Sequence, residues 1–202
     1  MCIEDKVFPK MNSLYPKYEH ILDSVENYVE KIKAAADARK DEGFCIIART
    51  EALIAGLDID EVLYRAETYR CAGADAIIVH SRDNEVDKLL KVIQIWNDRL
   101  PLIVIPTSFP QISLKMLEEY KVYNVIFANQ LMRAGLRAMK MYLQELRETD
   151  RLTDCSTPIA SVSELFEIQN MDVYNQLDLY YRNLRLKMNS QQCCTESTIS
   201  GG

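Results

Sequence analysis

Between Ile3 and Ser13 the chain sets two carboxylates (Glu4, Asp5), two ammoniums (Lys6, Lys10), an amide (Asn12) and a hydroxyl (Ser13) in one short run. A carboxylate at a strand end can hold a hard divalent cation through oxygen, and the lysines and the amide can meet the oxyanions that such a cation gathers. The same composition also suits a solvated turn after an edge strand, so its meaning depends on what else converges on it. Two more polar groups close apolar runs: Arg49 after Phe44-Cys45-Ile46-Ile47-Ala48, and His80 after Ala76-Ile77-Ile78-Val79. A continuous apolar run ended by a polar group is the pattern of a strand buried on both faces of a parallel sheet. Arg49 could equally pair with Glu51 or Glu4, and His80 could be a structural histidine.

The elements that must carry these residues alternate. Cys2–Glu4 reads as a short strand, residues 5–16 as a loop punctuated by Pro9, Asn12, Ser13 and Pro16, and Tyr18–Arg39 as a helix with Ile21, Leu22, Val25, Tyr28, Val29 and Ile32 on one face. Strand Phe44–Thr50 is followed by a helix capped by Asp58 or Asp60 that runs to Ala72 and stops at Gly73. Strand Ala76–Val79, helix Asn84–Asp98, strand Leu102–Ile105, short helix Ile112–Glu119, strand Val122–Phe127 and a helix from Asn129, as its cap, to Arg147 complete five strand–helix units. Parallel strands with helical crossovers follow.

After Thr149 the rhythm stops. Thr153–Pro158 reads as a linker, Ser161 or Ser163 as the cap of a short helix, and Asp172–Met188 as an amphipathic helix whose Tyr174, Leu177, Tyr180, Tyr181 and Leu184 form a packing face. Three parts are therefore expected: an incomplete β/α barrel over 1–150, a helical extension over 151–188 and a disordered tail over 189–202.

At 202 residues, 48% hydrophobic and 27% charged, the chain can bury a sizeable core. Its net charge of -6, with lysines and arginines interspersed among acids, gives no footprint for nucleic acid. The six cysteines show no CxxC and no Cys/His spacing, which argues against zinc and against a disulfide framework. No apolar run approaches the ~20 residues of a membrane span, and no leader precedes Cys2, so a cytoplasmic setting with reduced thiols is the default expectation.

Four stretches resemble phosphoenolpyruvate phosphomutases of the isocitrate lyase superfamily. They are Glu4-Asp5-Lys6-x-Phe8-Pro9-Lys10-x-Asn12-Ser13, Ala48-Arg49-x-Glu51-Ala52, Ala72-Gly73-Ala74-Asp75-Ala76-Ile77-x-x-His80-Ser81 and Val104-Ile105-Pro106-Thr107. The resemblance implies a TIM-type (β/α)8 barrel, here partial, with its site at the strand C-termini. It implies interconversion of phosphoenolpyruvate and phosphonopyruvate, forming a carbon–phosphorus bond, with Mg2+ on the oxyanions of the substrate. By the same resemblance Glu4 is a metal ligand, Lys10 and Asn12 belong to a loop that closes over the substrate, and Arg49 and His80 bind the phosphoryl group with Ser13 beside them.

Phosphoryl transfer asks a protein chiefly for positioning and charge compensation, and these residue types can supply both. Asn12 favours the mutase over the phosphonopyruvate hydrolase branch, which typically carries threonine there, while Glu51-Ala52-Leu53-Ile54-Ala55-Gly56 resembles the hydrolases too. The lyases' cysteine-bearing loop is not seen between Asp5 and Ser13. The resemblance further implies that the first three strand units, with the nucleophilic aspartate and the paired metal aspartates, lie outside this chain, which alone is then expected to be inactive. An exposed β edge at Cys2–Glu4 and the C-terminal helices, which family members exchange between subunits, point to a homo-oligomer.

Overall fold

The computed structural model describes residues 1–82, 86–149 and 156–196. Five parallel strands form one sheet: β1 Cys2–Glu4, β2 Ile47–Thr50, β3 Ala76–Val79, β4 Leu102–Val104 and β5 Asn124–Val125, in the order β1-β2-β3-β4-β5. Between them run α1 Val25–Ala38, α2 Ile59–Cys71, α3 Val86–Trp96 and α4 Leu114–Glu119, with a 3-10 turn at Pro106–Ser108. Sequence order without a reversal is the arrangement of a barrel wall, whereas a doubly wound sheet changes direction at its centre. The expected partial β/α barrel is the fold observed.

The helices cover one face of the sheet. Tyr28 and Ile32 of α1, Val62, Ala66 and Tyr69 of α2, and Leu89, Val92, Ile93 and Trp96 of α3 pack on Ala48, Ile77, Val79, Leu102 and Val104. Successive strand residues point to opposite faces, so Ala76, Ile78, Ile103 and Ile105 form a separate apolar cluster, joined by Ile47. Asp58 caps α2 by accepting from the Glu61 amide, and Gly73 leaves the helix with φ +108, a value that favours glycine.

Several boundaries differ from the periodicity. Helix α1 begins at Val25 because the preceding residues turn back on the first loop: Lys6 bridges Leu22, Val7 N–H donates to the Ile21 carbonyl, and Asp23 N–H to that of Asp5. Strand β2 begins at Ile47, since a turn from Asp41 to Phe44 holds the residues before it. Helix α3 ends at Trp96, with Asn97 and Asp98 in the left-handed region, while the expected start at Asn84 lies outside the described residues. Helix α4 starts at Leu114, where Ser113 caps it, and β5 is only two residues long.

The chain divides into two compact units, Met1–Gly135 and Leu136–Gly202. The boundary expected near residue 150 falls on residues outside those described. Beyond the first unit lie most of α5, Gln130–Thr149, then α6, Val162–Ile168, closed by a Ser161–Glu164 capping box, and α7, Met171–Glu196. Thus α7 extends into the stretch expected as a tail, of which residues 197–202 lie outside those described. Among the described residues no helix is long and apolar enough to cross a membrane.

Candidate functional site

Parallel strands put their C-termini on one rim, and the polar groups of this chain meet there. Register sets Glu4 beside Arg49 and Thr50 beside Val79, so that His80 stands one residue beyond β3. The loop leaving β1 is held from below. Asp5, fully buried, accepts from the Glu51 amide at 2.8 Å, from Tyr69 Oη at 2.8 Å and from Arg65 Nη1 at 3.2 Å. Burial pushes the Asp5 carboxyl above its usual range, against the pull of these donors.

A cavity of about 290 Å3 opens at this rim, and Glu4, Lys10, Asn12, Ser13, Arg49 and His80, the residues singled out in the sequence, all line it. Lys6, Thr107 and Asn129 line it too. Lys10 Nζ donates to the Glu4 carbonyl at 3.0 Å and lies 5.4 Å from the Phe8 ring centre. Asn12 Oδ1 accepts from the Leu14 amide at 2.9 Å, so the oxygen makes the turn and the NH2 remains as donor for the cavity.

Behind these residues lies Glu51, completely buried. Its Oε1 accepts from Arg49 Nε at 2.6 Å and lies 3.2 Å from His80 Nδ1. Its Oε2 accepts from the Ser13 hydroxyl and is 3.3 Å from Lys6 Nζ. Burial raises the Glu51 carboxyl, but the His80 imidazole, the Arg49 charge and the Ser13 hydroxyl outweigh it and hold the group down at about 2. Arg49 is thus both an ion-pair partner and a cavity residue: Nη2 reaches Ser13 Oγ at 3.0 Å and His80 Nδ1 at 2.8 Å, which leaves Nη1 without a partner among the described residues.

Ser13 takes a different place from that expected. Its hydroxyl accepts from Lys6 at 2.9 Å and from Arg49 at 3.0 Å while donating to Glu51, which uses both lone pairs and the proton. It frames the cavity and has no hydrogen bond left for a ligand. Asn129 also departs from its expected role as a helix cap, because its buried Oδ1 has no partner; the same is true of Thr107 Oγ1. The Thr107 hydroxyl can donate to a ligand oxygen, whereas Asn129 Oδ1 only accepts and calls for a donor. Periodicity gave no sign of Glu51, Thr107 or Asn129 as site residues; the signals were their positions beyond β2, β4 and β5 and, for Glu51 and Thr107, their place in the resembling stretches.

For a divalent cation the fit is incomplete. Mg2+ takes six oxygens in octahedral array. Glu4 offers one carboxylate, with Lys6 at 3.7 Å and Lys10 at 3.8 Å from Oε1 and Arg49 at 3.6 Å from Oε2. Among the described residues no group of three His, Cys, Asp or Glu is gathered in a way that could hold a metal. Glu4 can give a cation one oxygen, and the described residues do not complete its shell.

A β/α-barrel wall with a cavity at its strand C-termini, lined by basic side chains, is the layout of TIM-barrel proteins, which keep their sites on that face. The sequence model of phosphoenolpyruvate phosphomutase matches residues 1–147, and the chain belongs to that family, within the phosphoenolpyruvate mutase/isocitrate lyase superfamily. It is 38% identical over 181 residues, 90% of its length, to a phosphoenolpyruvate phosphomutase of Tetrahymena pyriformis, of which it covers 60%. The crystal structure of a phosphoenolpyruvate phosphomutase from Streptomyces platensis subsp. rosaceus matches with a TM-score of 0.82 at 37% identity, over 88% of this chain and 61% of that one. A phosphonopyruvate hydrolase solved in complex with oxalate and Mg2+ matches with a TM-score of 0.78 at 34% identity, again over 88% of this chain and 61% of that one. The chain spans about 60% of the length of these relatives.

Proposed function

We propose that this chain binds phosphonopyruvate and phosphoenolpyruvate at the strand-end cavity, as the phosphoryl-gripping part of a mutase-type site. The observation that carries the reading is the convergence of Lys6, Lys10, Arg49 and the Asn12 amide on one cavity whose only lining carboxylate, among the described residues, is Glu4. A three-oxygen phosphonate meets donors there: Arg49 through Nη1, Lys10 as a mobile charge, and Asn12 through an uncharged NH2 that holds oxygen without activating water. His80 steadies the same group from the β3 end. Of the keto acid's remaining oxygens one falls to Thr107, whose unpartnered hydroxyl can donate.

Glu4 is the carboxylate that would give Mg2+ one oxygen from this cavity; binding by the cations needs no more of it. No carboxylate among the described lining residues is free to accept a phosphoryl group, since Glu4 is ringed by cations. Turnover therefore calls on groups other than these, and binding does not. A homo-oligomer through α7, which exposes Val173, Tyr174, Tyr180 and Tyr181, belongs to the same proposal.

Titration calorimetry of phosphonopyruvate into the chain, with and without Mg2+, tests the reading. Arg49→Ala is expected to weaken binding by about tenfold or more, since a charge-assisted hydrogen bond contributes about 1.5–3 kcal/mol. Equal affinity of parent and variant would remove Arg49 from the site. Where turnover is obtained, phosphorus NMR separates the mutase product, phosphoenolpyruvate, from the inorganic phosphate of a hydrolase.

A further inference from the structure

We infer that Glu51 is a positioning residue: it gathers the cavity's cations into a working array without touching the ligand itself. Glu51 is absent from the cavity lining, yet its carboxylate contacts Lys6, Ser13, Arg49 and His80, which all line it. Those groups come from the loop after β1 and from the ends of β2 and β3. The two cations, Lys6 and Arg49, repel one another, and a fully buried anion that contacts both is what lets them share one wall. Its own place is fixed independently, because the Glu51 amide donates to the buried Asp5, which Arg65 and Tyr69 hold in turn. With Nε and Nη2 of Arg49 occupied on the Glu51 side, the guanidinium has a single orientation in which Nη1 remains for a ligand.

The role has a sign that separates it from simple charge balance. Deleting a negative charge beside an anion site should strengthen anion binding by Coulomb's law. If Glu51 positions, deleting it should weaken binding, because Arg49 and Lys6 lose their geometry while the net field becomes more positive. Residues that orient metal ligands cost about 10–100-fold when lost, and a loss of that order is expected for one that orients Arg49 and Lys6.

The inference rests on the cavity being the oxyanion site proposed above, and the experiment keeps the two apart. Phosphonopyruvate affinity is measured by calorimetry for the parent, Glu51→Gln, Arg49→Ala and the double variant. In parallel, exchange of the Arg49 Nε–H proton with water is followed by NMR without ligand, its signal assigned by loss in Arg49→Lys. Expected are an affinity about 10–100-fold lower in Glu51→Gln, little further loss in the double variant than in Arg49→Ala alone, and faster exchange at Arg49 Nε–H. Equal or tighter binding by Glu51→Gln, additive losses, or unchanged Arg49 exchange would overturn the assignment.

If the parent binds no phosphonopyruvate, the oxyanion reading fails and Glu51's part in it falls as well, while the exchange data still decide whether Glu51 holds Arg49. Should Glu51→Gln lose the folded fluorescence of the sole tryptophan, Trp96, Glu51→Asp takes its place. It keeps the charge but draws it back by one methylene, and is expected to lose affinity by a smaller factor; parent-like binding by Glu51→Asp together with parent-like Arg49 exchange would overturn the assignment.

Discussion

Acid should unlock the Glu51 cluster before it exposes the rest of the core, and the size of the effect follows from the carboxyl's two environments. In the unfolded chain Glu51 titrates near its ordinary 4.5; in the fold it is held down at about 2. The folded state therefore binds fewer protons than the unfolded one between these values, so the stabilisation is fully present above 4.5 and is lost as pH falls towards 2. An interval of about 2.5 at about 1.4 kcal/mol per pH unit gives about 3 kcal/mol, of which about 2 kcal/mol should be gone by pH 3. The assay is urea unfolding at pH 6, 5, 4 and 3, followed by the fluorescence of Trp96, which is buried in the first unit. Glu51→Gln removes the titrating group, and the opposing contribution of Asp5, whose carboxyl is raised by burial, is common to both proteins. The stability gap between parent and variant should shrink by about 2 kcal/mol from pH 6 to pH 3. A gap that stays constant over that range would show that Glu51 is not held ionised by its neighbours, and the cluster's electrostatic account would fail.

Asp5→Ala should destabilise the first unit by about 1–3 kcal/mol, because it leaves the buried Glu51 amide and Tyr69 hydroxyl without their acceptor while Arg65 keeps its ion pair with Glu61; a loss under about 0.5 kcal/mol in the same urea assay would contradict the burial argument. Gly73→Ala places a methyl at a φ of +108 and 3.3 Å from the Ala36 methyl, and should cost about 1–3 kcal/mol, read as a lower thermal midpoint.

The strand–helix alternation was legible because β3 and β4 are unbroken apolar runs, β2 ends one, and the long helices between them carry their own stripes, all local properties of the chain. Arg49 and His80 were legible for the same reason, as polar closures of such runs. The start of α1 was not: Ile21 and Leu22 fit the helical stripe, and only their pairing with Val7 and Lys6, some fifteen residues earlier, keeps them out of it. Glu51 was visible as a possible partner for Arg49 and as a member of two resembling stretches, with no role assigned to it. Its full burial comes from contacts with Lys6, Ser13 and His80, which no window of sequence brings together. Lys6, read with Lys10 as a cation for oxyanions, also ties the first loop to Glu51, while Ser13, read as a ligand contact, spends its whole hydrogen-bonding capacity inside the protein.

Gathering every polar strand end on one rim divides labour within the molecule. Asn12, Thr107 and Asn129 line the mouth and take no part in the helix-covered layer of Ile77, Val79 and Trp96, so one wall can serve several chemistries, and proteins named as mutase and as hydrolase share the fold. The exception is Asp5 with Arg65 and Tyr69, where rim and interior are riveted together. There a change cannot be made to one without the other, and drift at that point should be slowest.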